Sequence, residues 1–368
     1  HMNSCDFSRG NWSCCDKEGD VELKTFSIDR YKKDILPMVK RAVTAAGQPL
    51  TLFASPWSPP AWMKDTGRMM NGGRLLAEYR DAWAKHYVKF AQMLKEAGAP
   101  LWGFTVQNEP DADNGWENCL FGPEEERDFI RDHLGPALEG SGMDLKLIAW
   151  DHNRDDLYQR AHTIYSDPAA AKYVWGMGFH WYGDPHYDWW ADANDQSCFE
   201  NVRRVHELCP DKHLWVTEVC QELGAHIGDW GLGERYAESI IRDFNNWCEA
   251  WVDWNLILDQ EGGHNHVGNK CSAPVIADAG KDRVIFQPSY YYIGHFSRYI
   301  KPGARRILSA ASRAALEVTA FENPDGTIVA VVMNQTRNGC GFCLEHGGSV
   351  ARFSAEPRSI TTLILPGN

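Results

Sequence analysis

Two short apolar runs in this chain each stop on a glutamate. Leu101-Trp-Gly-Phe-Thr-Val-Gln-Asn-Glu-Pro110 ends on Asn108-Glu109-Pro110, and Leu214-Trp-Val-Thr217 delivers Glu218. Trp102, Phe104, Thr105 and Val106 suit a buried strand, and Pro110 removes a backbone donor and ends it. The carboxyl end of a buried strand is where a parallel α/β barrel keeps its chemistry, although either glutamate alone reads equally well as a strand cap in a loop. Taken together, the two carboxylates are what glycoside hydrolysis requires. One is protonated and gives a proton to the leaving oxygen; the other is ionised and attacks, or activates water. Asn108 beside Glu109 suits a sugar 2-hydroxyl. Trp57, Trp181, Tyr182 and Trp254 fall at expected strand ends, where flat rings can stack on a pyranose; a single Trp is as readily core packing.

The elements that position these groups alternate. Asp29 to Ala46 reads as a helix stopped by Gly47, Leu50 to Ala54 as a strand, and Ala77 to Ala97 as an amphipathic helix closed by Gly98. Pro123, followed by Glu124, Glu125 and Glu126, starts a helix running to Gly140. Strands are expected at Leu145 to Trp150, reaching Asp151-His152-Asn153, then at Val174 to Phe179, Leu214 to Thr217 and Val252 to Leu258, with a helix from Glu234 to Ala250 between the last two. An open doubly wound sheet would carry a glycine-rich phosphate loop, and none is present, so a (β/α)8 barrel fits better; no cofactor is expected. The reading is a (β/α)8-type TIM barrel over residues 3–300 in which about six βα units are visible, two short of closure at the amino terminus. From about Arg306 the texture changes to alternating strands with a turn at Asn323-Pro-Asp-Gly326, a small antiparallel β side domain over 301–368.

The totals narrow the partners. A net charge of −13 argues against nucleic acid or an anionic membrane surface. No apolar stretch is long enough to span a bilayer. The eleven Cys are scattered, and Cys340-x-x-Cys343 stands without a second pair, which fits free thiols in a reducing compartment. His1-Met2 look like a cloning remnant, so a leader could have been removed and export stays open. The 16 Trp, 13 Tyr and 15 Phe are a heavy aromatic load of the kind sugar-binding clefts stack against pyranose faces, although most of these rings must be core. An unclosed barrel exposes edge strands, which a homo-oligomer could cover.

The longer motifs are more specific. Ser4-Cys-Asp-Phe-Ser8, Phe53-Ala-Ser-Pro-Trp-Ser-Pro-Pro60, Thr105-Val-Gln-Asn-Glu-Pro110, Phe179-His-Trp-Tyr182, Val216-Thr-Glu218, Trp251-Val-Asp-Trp-Asn255 and Tyr292-Ile-Gly-His-Phe-Ser297 resemble, in order, glycoside hydrolase family 30, the glucosylceramidase-like retaining β-glycosidases. The resemblance implies Glu109 as acid/base, Glu218 as nucleophile, and Asp6, Trp57, Asn108, His180, Tyr182 and Trp254 around the sugar. Family members begin with further strands that this sequence does not show, either because it is a piece of a longer chain or because the barrel is naturally shorter, so Asp6 falls close to its first residue; the resemblance implies a β-glucoside or β-glucan oligosaccharide as partner. The Asn71-Gly-Gly73 and Trp116-Glu-Asn-Cys119 neighbourhoods look more like β-1,6-glucanase and β-glucosidase branches than xylan-cleaving ones. The expected chemistry is double displacement on β-D-glucosyl linkages, with the carboxyls about 5–5.5 Å apart and the pKa of Glu109 raised by burial and its negative neighbour.

Two other readings compete. His264-x-His266, His180 and Asp253 suggest a metal-dependent barrel hydrolase, although lone His pairs usually order loops. A catalytically weak or inactive carbohydrate-binding relative is the other. Glu117, Glu222 and Glu261 read as solvated or loop-ordering charges.

Overall fold

The computed structural model describes residues 1–191 and 197–367. Its contacts separate two units, His1–Glu218 with His264–Asn269, and Val219–Gly263 with Lys270–Asn368.

The first unit is built on parallel strands β1 (Phe53–Ala54), β2 (Gly103–Thr105), β3 (Lys146–Asn153), β4 (Gly176–His180) and β5 (His213–Glu218), each hydrogen-bonded to the next in chain order. Helices cross between them, as parallel pairing requires. These include Arg80–Glu96, Leu157–Tyr165 and Phe199–Leu208. The helical run from Pro123 to Gly140 contains a π turn at Ile130–Leu134, just before Gly135-Pro136, where proline's missing N–H breaks the regular ladder. The helix expected from Asp29 to Ala46 is broken at Asp34 into two pieces.

β2 and β4 are wholly buried, and β3 nearly so. Gly178 is needed in β4 because a Cβ there would lie 2.8 Å from both Ile148 and Thr217 of the flanking strands. The heavy aromatic load is partly explained at the amino-terminal ends of the strands. There Trp102 stacks on Trp215 at 4.6 Å, Trp175 meets Trp102 edge-on at 4.7 Å, and Phe53 lies against Trp215. These half-buried rings pack on one another at the bottom of the sheet.

In the second unit the helix Trp230–Asn245 packs Ala237, Ile240 and Ile241 with Tyr292, Phe296, Val329, Val331 and Met333. The strand expected from Val252 to Leu258 is absent as one element. In its place stand β6 (Ala250–Trp251) and β7 (Ile257–Asp259). Between them the Trp254 N–H turns to the Val219 carbonyl, and Asp253 accepts the Tyr236 hydroxyl at 3.1 Å. β7 joins β8 (Val275–Asp278) and β9 (Arg283–Phe286) in a three-stranded sheet. The side domain is antiparallel. β10 (Arg305–Ile307), β11 (Leu316–Glu322), β12 (Ile328–Asn334) and β15 (Ser359–Leu365) form one sheet, and β13 (Cys340–His346) pairs with β14 (Ser349–Ala355) as a hairpin. Cys340-x-x-Cys343 is thus part of a strand, and its thiols are free.

Candidate active site

The register that builds β2 to β5 brings their carboxyl ends together. The Glu109 N–H donates to the Asp151 carbonyl at 2.9 Å and the Asn108 N–H to the Pro56 carbonyl at 2.8 Å, so the segment after β2 is held from both sides. β3 carries a register shift between Trp150 and His152, and β4 another between Phe179 and His180 that pairs His180 with Glu218. Glu109, Trp150 and Asp151 all have left-handed backbones, at φ of 48°, 74° and 60°. Such residues cost about 1–3 kcal/mol each and cluster where a side chain must be re-aimed.

What they aim at is His180. Its ring is fully buried, with Nε2 3.0 Å from Asp151 Oδ1 and Nδ1 3.3 Å from Glu109 Oε1 and 4.0 Å from Glu218 Oε1. An oxygen of Glu109 and an oxygen of Glu218 lie within 4.8 Å of each other. The Tyr182 hydroxyl donates to Glu218 Oε1 at 3.1 Å. Burial would discharge His180, but Glu218, Asp151 and Glu109 overcome it and push its pKa up to about 10. Asp151, equally buried, is held below the usual carboxylate range by that imidazolium.

The rise expected at Glu109 does not occur. Burial does push its carboxyl up, but the hydrogen bond and charge of His180 outweigh burial and hold it below the ordinary glutamate value. Glu218 is raised instead, to about 8: it is as deeply buried, His180 is farther away, and Glu109 and Asp151 add negative charge. The pair therefore holds one proton near neutral pH, favoured on Glu218. That proton count is a property of the pair.

Around the pair, Asp6 is buried, and burial lifts it to about 7 against the amides of Asn265 and Asn269. It lies close enough to Glu218 to add to that group's upward shift. The Trp57 carbonyl takes the Gln107 side-chain N–H at 2.8 Å, which sets the Trp57 stretch beside Asn108. Trp254 belongs to the second unit. Trp181 is buried, whereas Tyr182 keeps some exposure.

Sequence reasoning missed Asp151 and His152, although both carry the same mark as Glu109, a polar residue ending a buried strand. It also undervalued Glu117, which is fully buried. Glu117 accepts from Ser4, from Asn11 at 3.1 Å and from His266 at 3.2 Å, and so orders the loops around Asp6. The Asn71-Gly-Gly73 and Trp116-Glu-Asn-Cys119 stretches meet each other. Met70 bridges Glu117, and the Lys64 ammonium donates to the carbonyls of Met69, Gly72 and Asn118.

Within the first unit the residues of the metal reading do not converge: His266 is on Glu117 and His264 is exposed, away from His180 and its carboxylates; Asp253 belongs to the second unit. Glu109, His180 and Glu218 are the one trio among the described residues close enough to share a cation. His180 does not suit that role, because both ring nitrogens point at carboxylates and hold protons up to about pH 10.

Comparison with known proteins agrees with this arrangement. The model of the glycosyl hydrolase family 30 TIM-barrel domain matches residues 1–300, and that of the family 30 beta sandwich domain matches 303–363. The chain belongs to glycosyl hydrolase family 30. This family 30 chain is 37% identical over 350 residues to the lysosomal acid glucosylceramidase of Mus musculus, covering 91% of this chain and 66% of that one. It is 26% identical over 341 residues to the endo-1,6-beta-D-glucanase BGN16.3 of Trichoderma harzianum, covering 86% and 64%. It thus spans about two thirds of these relatives' length. Among solved structures, SrfJ from Salmonella typhimurium shares 34% identity at a TM-score of 0.92, over 100% of this chain and 80% of that one. The endo-beta1,6-glucanase BT3312 shares 28% at 0.84, over 98% and 80%. The fold is the family's TIM barrel with a carboxyl-terminal antiparallel β sandwich. No described helix is long and apolar enough to cross a membrane.

Proposed function

We propose that this family 30 chain hydrolyses β-D-glucosidic bonds with retention of configuration, Glu218 acting as nucleophile and Glu109 as acid and then base. The carrying observation is the approach of the two carboxylates to within 4.8 Å. A separation of about 5–5.5 Å suits direct attack, whereas inversion needs about 6.5–9.5 Å to seat a water. A glucosyl unit is common to the names of the mouse and Trichoderma relatives, and the Trichoderma name gives it as β-D.

His180 draws the pair's negative charge onto Glu109. Positive charge growing on the anomeric carbon beside Glu218 favours the ionised form of Glu218, and the proton passes to Glu109 next to the departing oxygen. The bond from Glu218 to the anomeric carbon forms as the glycosidic bond breaks, and the leaving oxygen takes the proton. Glu109 then deprotonates water, which displaces Glu218. Tyr182 steadies the Glu218 carboxylate through its hydroxyl. Asp6, Trp57, Asn108 and Tyr182, all of the first unit, are the proposed walls of the sugar site. His180, with both nitrogens on carboxylates, sets the charge of the pair. A homo-oligomer covering the outer edge of β1 is part of the same proposal, and a monomer at all concentrations in sedimentation would remove that part.

The test is a digest of β-1,6-glucan, aryl β-glucoside, β-fucoside and β-xyloside by wild type, Glu218→Gln and Glu109→Ala, with the first-formed anomer followed by NMR. Glu218→Gln loses turnover on every substrate. Glu109→Ala loses about 10²–10⁴-fold on poor leaving groups, which need the proton, and much less on a dinitrophenyl glucoside, which does not. Full turnover by Glu218→Gln, or an inverted first product, refutes the assignment.

A further inference from the structure

Behind the strained turn that carries Asp151 lies a buried ion network that the reaction does not touch. Glu126, from the helix starting at Pro123, is wholly buried and splits its carboxylate: Oε1 accepts the Trp150 backbone N–H at 2.8 Å, and Oε2 accepts from Arg160 at 3.0 Å. Arg160, from the helix Leu157–Tyr165 and likewise buried, lies 4.5 Å over the Trp150 ring and extends its other nitrogen to Asp111. Asp111 follows Glu109 by two residues, and the Glu109 N–H returns to the Asp151 carbonyl. The contacts close a loop: Glu109 to Asp111, Arg160, Glu126, Trp150 and Asp151, and back to Glu109.

Three features set this loop apart from an ordinary buried pair. Glu126 satisfies the N–H of a residue at φ 74°, where β3 loses its regular register. The next residue, Asp151, is the Nε2 partner of His180. The far end of the loop fixes the chain directly after Glu109. Each arm thus ends one or two residues from a group that sets the charge of the carboxylate pair.

We propose that Glu126 and Arg160 are positioning residues for catalysis: by clamping the Trp150–Asp151 turn against the Glu109–Asp111 segment, they hold His180 in the orientation that keeps it on Asp151 and Glu109. The proposal rests on the functional reading above. The groups facing His180 are Asp151, Glu109 and Glu218, with His152 and Tyr182 rings at 6.2 and 5.9 Å. Of the three carboxylates, Asp151 is the one the clamp reaches through the turn. With the clamp gone, Asp151 drifts, His180 loses its Nε2 partner, and the imidazole gives up its proton at lower pH.

Two double variants separate positioning from mere packing. Both replace the pair by groups of similar volume, which relieves the buried charge. Glu126→Gln with Arg160→Met keeps an oxygen for the Trp150 N–H; Glu126→Leu with Arg160→Met removes it. The measurements are kcat and KM on an aryl β-glucoside, the pH–rate profile, the melting temperature, and the ¹⁵N titration of His180, which needs no activity. The expected result is that the glutamine variant, which keeps the Trp150 arm and loses the Asp111 arm, loses about threefold in kcat and lowers the His180 titration by less than about half a pH unit. The leucine variant loses about tenfold or more in kcat at nearly constant KM, and His180 titrates at least one pH unit lower. A folded leucine variant with wild-type kcat and an unmoved His180 titration overturns the proposal, as do losses in both variants that follow only the melting temperature. Should the leucine variant not fold, Glu126→Asp, which keeps the charge beside Arg160 but shortens the reach to the Trp150 N–H, is expected to lower the His180 titration by more than Glu126→Gln with Arg160→Met does; no shift with Glu126→Asp overturns it. If wild type itself turns over no β-glucoside, the functional reading fails, and the titration still decides whether the clamp holds His180.

Discussion

Removing the charge of His180 probes the electrostatics of the site most sharply. The substitution His180→Gln keeps a planar polar group and deletes the cation 3.3 Å from Glu109 and 4.0 Å from Glu218. At an effective dielectric constant of 20, a unit charge at 4 Å is worth about 4 kcal/mol, or roughly three pKa units, as an upper bound. Asp151, 3.0 Å from the other ring nitrogen, cancels part of that field before removal and adds unpaired negative charge after it. The net effect on the pair is an upward shift of about one to two units, within that bound. Without the cation each anion is less stable, so protons stay on to higher pH. In wild type the pair loses its last proton near Glu218's value of about 8, which sets the alkaline limb of kcat/KM. The acid limb lies below the ordinary glutamate range, where Glu109 takes up a second proton. In His180→Gln both limbs move up. The assay is kcat/KM for an aryl β-glucoside across pH 4 to 10, with a melt at each pH to confirm folding. An alkaline limb that stays within about 0.3 unit, or moves down, refutes the placement of the cation as the group that sets the pair's charge.

Three more outcomes are expected. Stability falls as pH rises from about 5 to 10, because Glu218, Asp6 and His180 all have folded pKa values above their ordinary ones, so their contributions are complete below those ordinary values and are lost through about 8, 7 and 10. Below pH 4 the lowered Glu109 and Asp151 reverse the trend, and a melting-temperature profile shows the resulting maximum. Glu218→Gln therefore raises the melting temperature at pH 9 more than at pH 5, and an equal change at both pH values would contradict it. Tyr182→Phe removes a hydroxyl donor from Glu218, a charge-assisted bond worth about 1.5–3 kcal/mol, so kcat/KM drops roughly 10- to 100-fold with the fold intact by circular dichroism. Lys64→Met leaves three buried carbonyl acceptors without their ammonium and lowers stability by about 2–4 kcal/mol in urea melts, while wild-type stability would show that the loops carry themselves.

Much of the architecture was legible because strand period and turn chemistry are local. The ends of β2 and β5 stand out through apolar runs closed by Glu109-Pro110 and Glu218, and the turn at Asn323-Pro-Asp-Gly326 announces the β11–β12 hairpin. Legibility failed where pairing depended on a distant element. Val252 to Leu258 has strand composition, yet Trp254 bonds Val219 and Asp253 bonds Tyr236, so the run divides into β6 and β7. Glu117 has the look of a loop acid in sequence, and only its approach to Ser4, Asn11 and His266, each distant in the chain, makes it a buried hub.

What the amino-acid order determined by itself was the pair of carboxylates on which the proposed function rests. Two carboxylates had to fall at the same end of a parallel sheet, because each closes a strand of the same direction. What only tertiary structure decided was which of them carries charge. A pKa depends on the full set of charges within a few ångströms, and His180 reaches Glu109 before Glu218 because two shifted registers and a left-handed turn at Trp150–Asp151 put it there. No spacing along the chain encodes that order of distances.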